Sequence, residues 1–271
     1  MSELQTLVTG LGFGESPRWH AGRLWLCNWG TGEVLAVDLE GKTEVMAHVP
    51  TTVPFSIDWL PNGNMVVVSG PEGLLLRQEA SGALVTYADL RGNGNAFNEI
   101  VVDGRGNAYV NLETIALVTP DGAVRQVADN IAFGNGMAVT ADNSTLIVAE
   151  SHAQRLTAFS IGADGSLTDR RVWADLNDDA PDGICLDSEG AVWYASVPQQ
   201  HCVRVREGGE VVQRIDVDRG CFACMLGGTD NRTLFILAAE WLGMDRMAEA
   251  LDARTGQVLR ARAPVPHAGW P

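Results

Sequence analysis

Six tight turns recur along the chain at nearly even spacing, and this recurrence restricts the folds open to it more than any other feature. They are Ala21-Gly22, Pro61-Asn62-Gly63, Gly104-Arg105-Gly106, Ala141-Asp142-Asn143, Ser188-Glu189-Gly190 and Thr229-Asp230-Asn231. Their last residues stand 41, 43, 37, 47 and 41 positions apart. Asparagine, aspartate and glycine tolerate the positive φ that hairpin turns demand. Beside the turns lie short apolar runs, such as Arg23-Leu24-Trp25-Leu26-Cys27 and Asn64-Met65-Val66-Val67-Val68. These fit strands of about five residues better than helices.

A second strand follows in most units, as in Gly32 to Asp38, Gly73 to Arg77 and Arg155 to Phe159. Glycine turns at Gly41, Gly82, Gly122, Gly165 and Gly209 then lead into a last strand. About four strands in about forty residues make a propeller blade, and six blades close into a ring. The spacing therefore predicts an all-β fold, a six-bladed β-propeller, with residues 1–271 forming one domain undivided by any Gly-, Pro- or Ser-rich linker. An apolar segment around Leu4, Leu7 and Val8 precedes the first full blade. The N-terminal strand is expected to join the blade that ends at Gln257-Val258-Leu259-Arg260, so that no sheet edge is left open. The nearest helix candidate, Met244 to Leu251, is expected to be a surface loop with one or two turns.

Composition narrows the partners. A hydrophobic fraction of 46% excludes wholesale disorder. A net charge of −15 argues against nucleic acid and against an anionic membrane surface, and could concentrate cations. No apolar run is long enough to cross a bilayer. Met1-Ser2-Glu3-Leu4 has no basic region leading into an apolar one, so a cytoplasmic protein is expected. The five cysteines are odd in number and sparse, and Cys221-Phe222-Ala223-Cys224 lacks both a second pair and a strand-to-helix setting, which favours buried thiols. The composition carries no signature of a particular oligomeric state.

Propellers often bind ligands where the loops entering the innermost strands converge on the axis. Four polar residues occupy such places: Glu15, Asn98, Asn135 and Asp182. Two carboxylates and two amide carbonyls suit a hard divalent cation, calcium ahead of magnesium. Zinc fits less well, because His20, His48, His152, His201 and His267 form no ligand cluster. Asn135-Gly136 and Asp182-Gly183 also read as ordinary turn formers, and Glu15 and Asn98 as solvated loop residues, so the residues alone leave both readings open. His152 is placed either toward the axis from blade four or toward solvent. Trp241, following the run Phe235 to Glu240, is the best candidate for a pocket wall, whereas Trp19, Trp25, Trp59 and Trp193 read as packing residues. No Gly-x-Ser-x-Gly elbow, His-Glu-x-x-His pair or phosphate loop is present.

At Gly14-Glu15-Ser16-Pro17-Arg18-Trp19 the chain resembles the SMP-30/gluconolactonase/LRE family of regucalcin-like six-bladed propellers. Phe97-Asn98, Asn135 to Thr140, Pro181 to Asp187 and Gly227 to Leu234 extend the likeness in order along the chain. The resemblance implies that Glu15, Asn135 and Asp182 hold one divalent metal, calcium first, with zinc, magnesium or manganese as alternatives. It implies that Asn98 is a ligand through water or a substrate contact, and that Asp182 doubles as general base in the hydrolysis of a small lactone. Asn98, Glu99, His152 and Trp241 are then candidate pocket residues. Ala96 stands where many sugar-lactone members have an arginine, Glu99 where an aspartate is common, and Tyr109-Val110-Asn111 where the strand ending is usually richer in glycine. The expected activity is that of a metal-dependent lactonase-like hydrolase, and the expected partner a small, weakly hydroxylated lactone or ester. A metal-stabilised binding or regulatory propeller, a hydrolase of other esters or phosphotriesters, and a noncatalytic interaction propeller are the alternatives.

Overall fold

The computed structural model describes residues 4–271, so the reading of Met1 to Glu3 lies outside the described residues. Six antiparallel sheets of four strands each are arranged in a ring. Their innermost strands are Gly14–His20, Phe55–Trp59, Glu99–Val102, Gly134–Val139, Pro181–Leu186 and Gly220–Gly227, and each packs against the next around the circle. The protein is a six-bladed β-propeller.

The turn chemistry accounts for the repeat. The last residue of every one of the six turns has positive φ, from 57° at Asn231 to 87° at Gly106. Glycine and asparagine are the residues that adopt this conformation at least cost. The strands next to the innermost ones read as nearly unbroken apolar runs because both faces of each blade are covered: every residue of Met65–Ser69 is buried. Outermost strands such as Thr43–His48 are largely exposed and read as polar.

Closure uses both ends of the chain. Gln5–Leu11 pairs with Gly256–Arg262 as the outermost strand of blade six, in the register Gln5 to Arg260 and Leu11 to Gly256. The seam to blade one is close: at Gly41, where φ is 86°, an added Cβ would lie 2.5 Å from the Leu7 carbonyl oxygen. Arg260 Nη1 also donates to the Leu39 carbonyl at 2.8 Å. Behind this seam one apolar cluster joins Leu24 and Leu26 of blade one, Leu234 and Phe235 of blade six, and Trp193 of blade five.

All five cysteines are buried and free, and Cys221 and Cys224 lie on the inner strand of blade six. Met244–Arg246 forms a 3-10 turn and Met247–Asp252 a six-residue α-helix in the loop before the last strand. No helix among the described residues is long and apolar enough to cross a membrane. The C-terminal segment crosses the face at which the inner strands end. Trp270 exchanges backbone hydrogen bonds with Val139 at 2.7 and 2.8 Å, and Ala268 N–H donates to Leu186.

Removing Gln5–Leu11 strips a ladder from blade six and exposes the surface that Val8 and Leu11 cover. The burial of these two side chains alone is worth about 3 kcal/mol or more. The unfolding midpoint of a variant lacking residues 1–11 should fall by about 6–12 °C, measured by thermal circular dichroism. An unchanged midpoint would show that the strand does not close the ring.

Candidate functional site

The inner strands all begin at one face, and the candidate residues sit at those beginnings. Glu15, Asn135 and Asp182 are each the second residue of their strand, and Asn98 directly precedes Glu99–Val102. Three β-bulges mark the site. The pairing register shifts between Glu15 and Arg18, between Gly134 and Met137, and between Pro181 and Ile184. A bulge bends its strand and re-aims a side chain, so the same irregularity recurs where each of the three candidates is placed. Asn135-Gly136 and Asp182-Gly183 are therefore strand residues and not turns. Their glycines answer to crowding: a Cβ at Gly136 would lie 2.5 Å from Ile184 N, and one at Gly183 2.5 Å from the Ala223 Cβ.

Hydrogen bonds draw blades three, four and five together. Asn98 Nδ2 donates to Asn135 Oδ1 and to the Gly134 carbonyl, both at 3.4 Å. Asn111 Nδ2 donates to the Asn135 carbonyl at 2.8 Å. Asn135 Nδ2 reaches Ser151 Oγ at 3.5 Å, and Ser151 Oγ donates to the Pro181 carbonyl at 2.7 Å, next to Asp182. Asp182 Oδ1 is buried without a partner. Glu15, only 8% exposed, accepts from Ser16 N–H at 3.3 Å.

Charge is concentrated here. Burial pushes the Glu15 carboxyl well above its usual range, and the negative charges of Asp182 and Glu99 push it further, against the Ser16 N–H. Burial and then Glu99 raise Asp182, with Asn135 and Gly183 N–H acting in the opposite sense. Carboxylates desolvated together call for a counter-charge. Among the described residues no three His, Cys, Asp or Glu side chains gather in metal-holding geometry. The set here is of another kind, carboxylates supplemented by amide oxygens. The partnerless Asp182 oxygen, with carboxylate and amide oxygens in the same set, fits a hard divalent cation.

Other candidates fall nearby or apart. Glu99 turns toward Arg18, with Nη2 to Oε2 at 3.3 Å. His152 is exposed in the 3-10 turn Ser151–Ala153 and stacks on Phe133 at 4.5 Å between ring centres. Trp241 is half-buried and packs with Phe13 and Phe222 at centroid distances of 6.1 and 5.7 Å, forming an aromatic wall at blades one and six. It also borders a recess of about 340 Å³ with Arg219 and Glu240. The corresponding second positions of blades two and six hold Ser56 and Cys221. Burial, with Asp218 and Asp182 nearby, holds the Cys221 thiol up at about 12.

Several supporting residues escape the sequence reading. Arg18 lies inside the quoted motif, where a charged residue in mid-strand is the one available signal. Ser151 shows none. Asp179, three residues before Asp182, is hydrogen-bonded to buried His201 and accepts from the Tyr194 hydroxyl at 2.8 Å. Burial opposes its ionisation, but His201, Ser196 and Tyr194 outweigh that and lower its pKa. This cluster anchors the loop that delivers Asp182.

The ring and its polar inner rim define a class, the regucalcin-like six-bladed propellers. Residues 13–240 match the SMP-30/Gluconolactonase/LRE-like region, and the chain belongs to that family. It is 24% identical over 296 residues to regucalcin from Gallus gallus, covering 94% of this chain and 95% of that protein. Among solved structures it is similar to a calcium-binding regucalcin from Agrobacterium tumefaciens, with a TM-score of 0.83, 20% identity and coverage of 100% and 97%. A gluconolactonase from Xanthomonas campestris superposes with a TM-score of 0.77, 20% identity and coverage of 98% and 90%.

In chelator, Glu15 and Asp182 retain protons in the fold at pH values where the unfolded chain has lost them. The native state then binds more protons than the unfolded state, so stability falls as pH rises from the ordinary carboxylate range through the raised values. The thermal midpoint of Glu15→Gln in chelator should decline less steeply than that of the parent as pH rises from about 4.5, the ordinary carboxylate range. Parallel declines would dismiss this electrostatic account.

Proposed function

We propose that this protein is a metal-dependent hydrolase that opens a small lactone, and that Glu15, Asn135 and Asp182 hold its divalent cation, calcium first. The observation that carries the reading is Asp182 Oδ1, buried without a partner, on one of three inner strands that each carry a β-bulge at a candidate ligand. Membership of a family whose relatives include a gluconolactonase supports it. When bound, the cation would supply Lewis-acid polarisation of the lactone carbonyl.

The chain's own groups do the rest. Asp182, as the carboxylate, is suited to take a proton from the attacking water and return it to the ring oxygen as the acyl C–O bond breaks. Asn98 is close enough to Asn135 to orient the carbonyl or the water beside it. Half-buried Trp241, packed on buried Phe13 and Phe222, supplies an apolar surface. Ala96 offers no hydrogen-bond donor from its side chain, so a weakly hydroxylated lactone or ester is the favoured substrate.

Steady-state kinetics after chelation and metal add-back, with bound metal measured on each variant, test the assignment. Glu15→Gln should weaken metal binding by about tenfold or more, since it removes one of two charged ligands. Asp182→Asn should do the same and also lower kcat by about 100-fold or more at saturating metal. Asn98→Ala should keep its metal and lose activity. Full activity of Asp182→Asn at saturating metal would reject its base role, and unchanged metal affinity in both carboxylate variants would reject the ligand set. A raised melting temperature with no turnover for any metal and lactone would instead assign the cation a structural role.

Small apolar lactones should outperform gluconolactone in kcat/KM by about tenfold, the scale of a few unmet hydroxyl groups. A strong preference for gluconolactone would overturn the inference from Ala96.

A further inference from the structure

Three residues beyond Glu15 on the same inner strand, Arg18 reaches the inner strands of blades two and three. Its side chain is nearly fully buried. Nη1 donates to the Pro17 carbonyl at 2.9 Å, and Nη2 to the Ile100 carbonyl at 2.6 Å and to Glu99 Oε2 at 3.3 Å. Nε lies 3.7 Å from Asp58 Oδ2, within ion-pair range but beyond a hydrogen bond. Blade one thus sends a cation into a cage of oxygens supplied by blades one, two and three. Asp58 is held there independently, because Oδ1 accepts from Trp59 N–H at 2.8 Å and Oδ2 from Val102 N–H at 2.7 Å. The cage would keep its shape without the guanidinium. Two carboxylates and two backbone carbonyls, held on three rigid strands, are also the donor types that a hard divalent ion takes.

We propose that Arg18 is the built-in cation of the axis: it fills an oxygen cage beyond the candidate metal centre, pairs with Glu99 and Asp58, and thereby limits the axis to a single divalent ion held by Glu15, Asn135 and Asp182. The inference rests on the metal reading of those three residues. Arg18 is a positioning residue in this scheme, touching neither metal nor substrate. Its charge is spent locally. Burial opposes the protonated guanidinium, but Glu99 and Asp58 outweigh it and raise the Arg18 pKa. Glu15 and Asp182 therefore stay available for a cation that the protein does not carry in its own side chains. Without Arg18, Glu99 and Asp58 would join them as a second pair of desolvated carboxylates.

The test counts calcium ions bound to the full chain, stripped with chelator and then titrated with calcium alone, by equilibrium dialysis with elemental analysis. The parent should bind a single equivalent. Arg18→Ala, which vacates the cage, should bind a second, and its melting temperature should rise more steeply with calcium than that of the parent. Arg18→Lys, which keeps the charge, should bind a single equivalent. If Arg18→Ala unfolds in chelator, recovery of its fold by calcium supports the proposal. Failure to recover at any calcium concentration overturns it, as does a single equivalent of unchanged affinity in folded Arg18→Ala, or Arg18→Lys behaving like Arg18→Ala. Asp58→Asn supplies a second line. It leaves the proposed ligands untouched but exposes the calcium site to an under-compensated guanidinium, so calcium affinity should fall by about tenfold at low salt. Unchanged affinity would overturn the proposal. A parent protein that binds no divalent ion at all would instead defeat the metal reading itself, which is a separate result.

Discussion

Carboxylates brought together out of water must be protonated or paired, and the centre of this propeller is organised around that requirement. Glu15, Asp58, Glu99 and Asp182 all approach the axis from the inner strands, the first three buried and Asp182 half-buried. Burial alone drives Glu15, Asp58 and Asp182 toward their neutral forms. For Asp58 the answer is internal, since Arg18 and the N–H groups of Val102 and Trp59 oppose the rise. Glu15 and Asp182 have weaker internal answers, one backbone N–H for the first, an amide and an N–H for the second. That imbalance separates a structural ion network from a place suited to an external cation. The net charge of −15 acts in the same direction at long range, by raising the local concentration of cations.

Such an arrangement needs side chains held to within a fraction of an ångström, and the ring supplies this through pairing. A bulge exists only where a neighbouring strand defines the register from which it departs. The aim of Glu15 thus depends on Arg23–Asn28, that of Asn135 on Thr145–Glu150, and that of Asp182 on Val192–Ser196. The close approach of inner strands at Gly136 and Gly183 leaves no room for a side chain, so these glycines are part of the site's geometry although they bear no functional group. On blade five the Asp179, His201 and Tyr194 cluster fixes the incoming loop as well. The site is consequently a property of the closed ring, and loosening the seam between Gln5–Leu11 and blade one would be felt on the axis.

The blade count and the closure could be read from the chain because they are carried by local chemistry. Turn residues with positive φ announce themselves by type, as Gly63 and Asn143 do, and an unpartnered apolar segment at Leu7 and Val8 has few places to go. The placement of Glu15, Asn98, Asn135 and Asp182 at strand beginnings was readable for the same reason. What could not be read depends on contacts between distant positions. Arg18 meets Glu99 across 81 residues and Ile100 across 82. Nothing local to either residue specifies the encounter. Asn135-Gly136 resembles a turn in one dimension and becomes a bulged strand only when the neighbouring blade is present. His201, unremarkable beside Gln200, acquires its partner from the loop 22 residues earlier.

The pairing of polar groups around the site also bears on what it can accept. Asn98 is engaged with Asn135 and Gly134, Asn111 with Asn135, and Ser151 with Pro181. The donors of these amides and hydroxyls are already engaged, and a polyhydroxylated ring that displaced water here would find few free donors to replace it. Trp241 offers the opposite exchange: it is half-buried with Phe13 and Phe222 packed beside it, and an apolar ring laid against its open part gives up only weakly held water. The polarity left unspent lies with the carboxylates of Glu15 and Asp182, close to the amide of Asn135. In the proposed reading, recognition therefore rests on one polarised carbonyl, with the rest of the substrate held by apolar contact, and discrimination among lactones follows from the cost of desolvating whatever hydroxyl groups they bring.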